Sequence, residues 1–111
     1  MNYYISRHPG ALDWLRANAP RPAMLIRHLS SLDALGPEDT VIGTLPIHLV
    51  AEVCRRGARY LHLQIDLPAH LRGVELTAEQ LTELDAHLVE YFVFRPVSDE
   101  AVLQLADQQG E

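Results

Sequence analysis

The hydrophobic pattern of the chain alternates between short apolar runs and longer segments in which apolar residues recur every three or four positions. The short runs predict strands at residues 2–6, 23–29, 40–45, 59–66 and 91–97. The longer segments predict helices that begin near residues 9, 46, 77 and 98. The predicted order is β-α-β-β-α-β-α-β-α, which favours a mostly parallel sheet with helices on both faces.

Two of these segments carry especially clear patterns. Residues 59–66 (RYLHLQID) alternate, so that Leu61, Leu63 and Ile65 point to one face of the sheet. Residues 77–91 (TAEQLTELDAHLVEY) open with the capping-box pair Thr77 and Gln80. The leucine spacing that follows predicts one continuous helix over 77–91, with Leu81, Leu84 and Leu88 on its core face. For the sheet we expect the first strand to lie between the second and third.

Length and composition narrow the class of protein. The 111 residues predict a single domain over 1–97, followed by a C-terminal helix and frayed tail over 98–111. The formal net charge of −6 argues against a protein that coats long DNA or RNA. No long apolar run or secretory signal is visible, and Cys54 is the only cysteine, so we expect a cytoplasmic protein without a membrane partner.

The first candidate site is the stretch SRHPG, which follows the first strand. Ligands of open α/β sheets bind beyond the carboxyl ends of the strands, where helix N-termini attract anions. Arg7 can pair with a phosphate, and His8 can act as a general acid or base. Ser6, Arg7 and His8 are therefore the candidate catalytic residues, with Pro9 and Gly10 as ligand contacts. The alternative is that SRHPG is only the polar turn before a helix and binds no ligand.

A second junction of the same kind, GTLP, follows the third strand. Gly43, like Gly10, is expected to let a bulky anion approach the backbone. Two such junctions in one sheet suggest a pocket for a phosphodiester. The candidate ligand-binding residues here and at the end of the second strand are Arg27, Gly43, Thr44, Leu45, Pro46 and His48. A purely structural explanation stays open, because threonine caps helices well and proline suits a first helical turn.

The chain also holds six histidines, which raises the question of a metal site. The HExxH and CxxC spacings of zinc sites are missing from the sequence, although His8, His28 and His48 can meet in space near strand ends. All nine basic residues are arginine, so lysine chemistry and a Walker-type phosphate loop are excluded. We therefore expect neither a metal ion nor another cofactor.

The segments YYISRHPGALDWL, VIGTLPIHLVAEVCRRGARYLHLQIDLPAHLRGVELTAEQL and LVEYFVF together resemble a small CRISPR-associated family, catalogued as Csx sixteen. The likeness covers roughly residues 2–95, and its signatures SRHPGA and GTLP are specific in combination. The resemblance implies a Rossmann-like (CARF-like) three-layer sandwich with a mostly parallel sheet of about five strands. It also implies a homodimer that accompanies type III CRISPR systems.

The function implied by this resemblance is that of a ring nuclease. Such an enzyme linearises cyclic tetra-adenylate, the second messenger of antiviral defence, without a metal ion. The ribose 2′-hydroxyl would attack the adjacent phosphodiester and leave a 2′,3′-cyclic phosphate end, with SRHPG and GTLP lining the pocket. The alternatives are a protein that sequesters the cyclic oligoadenylate without cutting it, and an adaptor that uses the sheet edge or the Trp14 face for a protein partner.

Overall fold

The computed structural model describes residues 1–96, apart from the side chain of Leu29. The five strands are β1 (Asn2–Ile5), β2 (Ala23–Leu25), β3 (Thr40–Gly43), β4 (Arg59–Gln64) and β5 (His87–Glu90). The helices are α1 (Pro9–Asn18), α2 (Ile47–Arg55) and α3 (Ala78–Glu83), with 3-10 turns at Leu29–Ala34 and Ala69–Leu71. The predicted C-terminal helix at 98–111, and with it the predicted domain boundary, lies outside the described residues.

The strands form one sheet in the order β2-β1-β3-β4-β5. The first four strands are parallel, and β5 joins β4 in antiparallel direction. The predicted fold class is confirmed: the chain forms a Rossmann-like sandwich with a mostly parallel sheet, and β1 lies between β2 and β3. This order brings the carboxyl ends of the four parallel strands to one edge of the sheet.

Helices cover both faces of the sheet, and each face has its own hydrophobic core. On one face, Val50 and Val53 of α2 pack with Val41 and Tyr60 of the sheet. On the other face, Trp14 and Leu15 of α1 and Leu81 of α3 pack against Tyr4 and Ile42. Since α1 and α2 start at the carboxyl edge, their N-termini also face this edge. No helix within residues 1–96 combines the length and the apolar character needed to cross a membrane.

The continuous helix predicted over residues 77–91 is wrong. The capping box of Thr77 and Gln80 is present, but α3 ends at Glu83, and Asp85 adopts a left-handed backbone with φ of 60°. Residues 87–90 then form β5, where Leu88 pairs with Leu63 of β4. The last strand therefore lies before the predicted 91–97. The same leucine spacing fits both a continuous helix and a short helix followed by a strand. Only the pairing of residues 87–90 with β4 decides between these two structures.

Candidate functional site

The two junctions singled out in the sequence are direct neighbours in the fold. Ile5 of β1 pairs with Gly43 of β3, and the N–H of Thr44 donates to the Ile5 carbonyl at 3.0 Å. One residue beyond, the hydroxyls of Ser6 and Thr44 lie 2.7 Å apart, within hydrogen-bond distance. The Ser6 hydroxyl also accepts from the His8 N–H at 3.1 Å. The SRHPG and GTLP stretches therefore form one polar edge, as the sequence predicted.

The two glycines of these stretches lie against other segments of the chain. A Cβ on Gly43 would lie 1.7 Å from the Ile5 carbonyl oxygen, and one on Gly10 would lie 1.8 Å from that of Leu76. Both glycines are buried. They permit close contact between segments of this chain, which is a structural reason for glycine at both positions. Contact between their backbone and an anion stays a prediction.

A cleft of about 400 Å³ opens at this edge, between the ends of β1, β2 and β3 and the first turn of α2. We call it the arginine cleft. It is lined by Ile5, Ser6, Arg7, Ile26, Arg27, Thr44, Leu45, Pro46, His48 and Leu49. Two of these residues are arginines and none carries a carboxylate, although the whole chain has a net charge of −6. The cleft therefore offers a local positive field to an anion.

The first turn of α2 adds to this field. The helix begins after Pro46 without a side-chain cap, and the Thr44 hydroxyl bonds to Ser6 instead of capping it. Thr44 therefore does not act as the N-cap of α2, which was the structural alternative for this residue. Pro46 does lie at the start of the helix. An uncapped helix N-terminus presents its positive dipole end to the cleft, where His48 also lies.

His8 does not line the arginine cleft. It lines a separate cleft of about 250 Å³, which shares only Thr44 with the first and is otherwise mostly apolar. There the His8 Nδ1 lies 3.1 Å from Glu75 Oε1, and both side chains are exposed. Pro9 and Gly10 face a third depression beside α1. Of the predicted catalytic residues, Ser6 and Arg7 thus share the arginine cleft, and His8 lies next to it.

Beyond these residues, the structure reveals a buried hydrogen-bond network that the sequence interpretation missed. The Tyr60 hydroxyl accepts from the Leu45 N–H at 2.9 Å and lies 3.1 Å from the Gly43 carbonyl and 2.7 Å from His62 Nδ1. Burial raises the pKa of Tyr60 to about 12 and lowers the pKa of His62. The alternation of β4 was the available signal, because it places Tyr60 and His62 on one face of a strand beside GTLP.

This network borders a further cleft of about 350 Å³, which we call the aromatic cleft. It is lined by Leu45, Ile47, Val50, Tyr60, His62, Leu63, Gln64, Ile65, Tyr91 and Val93. The rings of His62 and Tyr91 meet edge to face with centroids 6.0 Å apart, and the Tyr91 hydroxyl donates to Gln64 Oε1. Leu45 lines both this cleft and the arginine cleft, so the two are adjacent.

The histidines do not converge on one point. Among residues 1–96, no three histidine, cysteine or carboxylate side chains are grouped so that they could hold a metal ion. The possibility that His8, His28 and His48 meet as a metal-binding group is therefore wrong for the part of the chain that the structure describes.

The fold and the cleft define a small α/β protein with a cationic pocket at the carboxyl edge of a parallel sheet. Residues 3–94 match the family model described as "Putative CRISPR-associated protein (Cas_VVA1548)". The chain therefore belongs to this family of CRISPR-associated proteins, and the expected CRISPR association is confirmed. No curated protein and no solved structure gives a significant match to the chain.

Proposed function

We propose that this protein binds a cyclic oligoadenylate, with cyclic tetra-adenylate as the expected ring, and linearises it to end antiviral signalling in a type III CRISPR system. The observation that supports this most is the arginine cleft. Arg7, Arg27 and the uncapped start of α2 surround a pocket without carboxylates, on a chain that is otherwise acidic. A phosphodiester is the anion that such a pocket suits, because guanidinium groups pair with phosphate oxygens in bidentate fashion.

The proposed reaction uses a nucleophile that the substrate itself carries. The ribose 2′-oxygen attacks the adjacent phosphorus, a new P–O bond forms, and the bond to the 5′-oxygen of the next nucleotide breaks. The products are a 2′,3′-cyclic phosphate and a 5′-hydroxyl, so the 2′-hydroxyl loses one proton and the leaving 5′-oxygen gains one. The protein has to hold the three atoms in line and stabilise charge on the phosphoryl oxygens, which is the role proposed for Arg7 and Arg27.

Ser6 is proposed to help position the ring. Its hydroxyl is held by the Thr44 hydroxyl and by the His8 N–H at the border of the arginine cleft. A hydroxyl fixed by two partners can donate to a phosphate oxygen at a defined position. Neither of these two partners is a base, and no other described residue that could remove the Ser6 proton contacts it. Ser6 is therefore a poor nucleophile for a covalent step. A 2′-hydroxyl attack therefore fits Ser6 better than a serine-linked intermediate.

Proton transfer is assigned to His8, which lies one residue beyond the cleft wall. Its Nδ1 faces Glu75, so Nε2 is the atom left for a substrate that spans the border at Thr44. Histidine transfers protons efficiently near neutral pH. His48, which lines the arginine cleft itself, is proposed to contact the ligand.

A homodimer is part of the proposal. A ring with equivalent phosphodiesters suits two copies of one cleft related by a two-fold axis, because each copy meets the same chemistry. Light scattering after size-exclusion chromatography measures this directly, and a mass of two chains is the expected result.

The deciding experiment is incubation of the protein with cyclic tetra-adenylate in the presence of EDTA, under single-turnover conditions. Linear products with 2′,3′-cyclic phosphate ends are expected, and an intact bound ring would contradict cleavage. The second candidate, sequestration of the ring without cutting, is favoured by one observation: His8 faces Glu75 in the neighbouring cleft. An intact ring combined with a ligand-dependent rise in melting temperature would establish that candidate. If the experiment gives no linear products and no thermal shift, the adaptor hypothesis is the one that remains.

A further inference from the structure

The aromatic cleft has no role in the mechanism above, yet it adjoins the arginine cleft across the first turn of α2. The consecutive residues Ile47 and His48 line the aromatic and the arginine cleft, respectively, and Leu45 lines both. At about 350 Å³, the aromatic cleft lies within the range of small-molecule sites, ~300–1,000 Å³. A nucleotide with its phosphate in one cleft can therefore place its base in the other.

The walls of the aromatic cleft suit a flat ring. The Tyr91 side chain is 40% exposed and Ile47 is 73% exposed, although both are large and apolar. His62 stands edge to face with Tyr91 at one wall. Proteins that bind unstacked bases hold them in this way, between aromatic and apolar side chains, and read their edges through a few hydrogen bonds.

The hydrogen-bond network determines what His62 offers to such a base. The Tyr60 hydroxyl has one hydrogen but lies close to three groups: the Leu45 N–H, the Gly43 carbonyl and His62 Nδ1. All three contacts are hydrogen bonds only if Tyr60 donates to the carbonyl and accepts from both nitrogens. Nδ1 of His62 then carries the proton. Burial lowers the pKa of His62 and favours the neutral ring, so Nε2 keeps a lone pair and is an acceptor.

Gln64 supplies the complementary group. Its Oε1 accepts from the Tyr91 hydroxyl, which leaves the side-chain NH₂ as a donor without a partner among residues 1–96. The cleft thus combines one acceptor, His62 Nε2, with one donor, the Gln64 amide. Adenine has the matching edge, because its exocyclic amine donates and its neighbouring ring nitrogens accept. Guanine and hypoxanthine carry a carbonyl oxygen at the position of that amine, which would face the lone pair of Nε2.

From these contacts we infer that the aromatic cleft is an adenine subsite, in which His62 accepts from the exocyclic amine and Gln64 donates to a ring nitrogen. The inference rests on the proposed function, since it assigns one base of the proposed ligand to this cleft. Tyr60 is a positioning residue in this arrangement, because its hydroxyl fixes the tautomer of His62.

The first test uses adenosine monophosphate and inosine monophosphate as probes, with the His and Tyr side-chain signals followed by NMR. We expect adenosine monophosphate to shift the His62 and Tyr91 signals and to bind at least about tenfold more tightly than inosine monophosphate. The substitution His62→Phe keeps a ring of similar shape but removes the acceptor, so it should abolish the preference. His70→Phe, which changes an exposed histidine outside the cleft, should retain it.

The second test separates this inference from the proposed function by using the ring itself. If cyclic tetra-adenylate and its all-inosine analogue bind the wild-type protein equally well, the adenine subsite is wrong and ring binding stands. If adenosine monophosphate shows the expected preference but the cyclic ring does not bind, the subsite stands and the proposed function is wrong. Absence of binding by both mononucleotides and the ring would overturn both.

Discussion

The hydroxyl groups of Ser6 and Thr44 lie 2.7 Å apart, although 38 positions separate the two residues in the chain. Ser6 directly follows the last residue of β1 and Thr44 directly follows the last residue of β3, and these two parallel strands are adjacent. This contact joins the two stretches that the sequence had marked as candidate anion sites. It also forms the border between the arginine cleft and the cleft that contains His8, because Thr44 lines both.

A double-mutant cycle measures this contact. Ser6→Ala and Thr44→Val each remove one hydroxyl, and each should lower the free energy of unfolding by about 1 kcal/mol. The double variant should lose less than the sum, by about 0.5 kcal/mol or more, because the two residues share one hydrogen bond. Urea denaturation of the four proteins provides the values. Strict additivity would show that the hydroxyls do not interact.

The positive charge of the arginine cleft should govern ligand affinity. Arg7→Ala and Arg27→Ala should each weaken binding of cyclic tetra-adenylate about 10- to 100-fold, the range for hydrogen bonds to a charged group. Cleavage should fall along with binding. The matched control is Arg16→Ala, which removes an arginine on α1 that pairs with Asp13 outside the cleft. Calorimetric titration of each variant with cyclic tetra-adenylate at two salt concentrations measures these affinities. Equal affinity for all three variants would exclude the arginine cleft as the phosphate site.

His8 is expected to affect the rate of cleavage more than the affinity. His8→Ala should lower the single-turnover rate about 100-fold and leave the dissociation constant within a few-fold, because a general acid or base acts in the transition state. His70→Ala, an exposed histidine on the 3-10 turn at Ala69–Leu71, is the control. Cleavage by the His8 variant at the wild-type rate, or a wild-type profile that is flat from about pH 5.5 to 8, would assign catalysis to positioning alone.

Two glycines allow a direct test of the close contact between β1 and β3. Gly43→Ala places a Cβ 1.7 Å from the Ile5 carbonyl oxygen, so the strands must separate. The free energy of unfolding should fall by about 3 kcal/mol or more. Gly36→Ala meets no atom within 4 Å and should change stability by less than about 0.5 kcal/mol. Similar urea midpoints for the two variants would contradict the strand spacing described above.

The half-buried position of His62 predicts a pH dependence of stability. Burial lowers its pKa from the ordinary value of 6.5 in the folded state, so the unfolded chain binds this proton first as the pH falls. The stability contributed by neutral His62 is complete above pH 6.5 and is lost as the pH falls toward the pKa of the folded state. Urea denaturation at several values between pH 7.5 and 5 gives the free energy of unfolding as a function of pH. This free energy should fall less steeply with falling pH for His62→Phe than for His70→Phe. Identical slopes would mean that His62 titrates alike in both states.

The local pattern of the chain was sufficient for most of the fold. Alternation along residues 59–66 predicted β4, and the capping box of Thr77 and Gln80 correctly marked the start of α3. These signals are local, since they depend on side chains within one or two turns of each other. The end of α3 and the position of β5 were predicted wrongly, because pairing of Leu88 with Leu63 of β4 outweighs a helical spacing.

The sequence by itself determined that SRHPG and GTLP follow parallel strands, and this was enough to place Ser6, Arg7 and Thr44 at one edge of the sheet. Only the tertiary structure decided which side chains share a cleft. It brought Arg7 and Arg27 together, turned His8 toward Glu75, and set Tyr60 and His62 beside the start of α2. Strand order and helix packing fix these contacts across tens of residues, and no local periodicity contains that information.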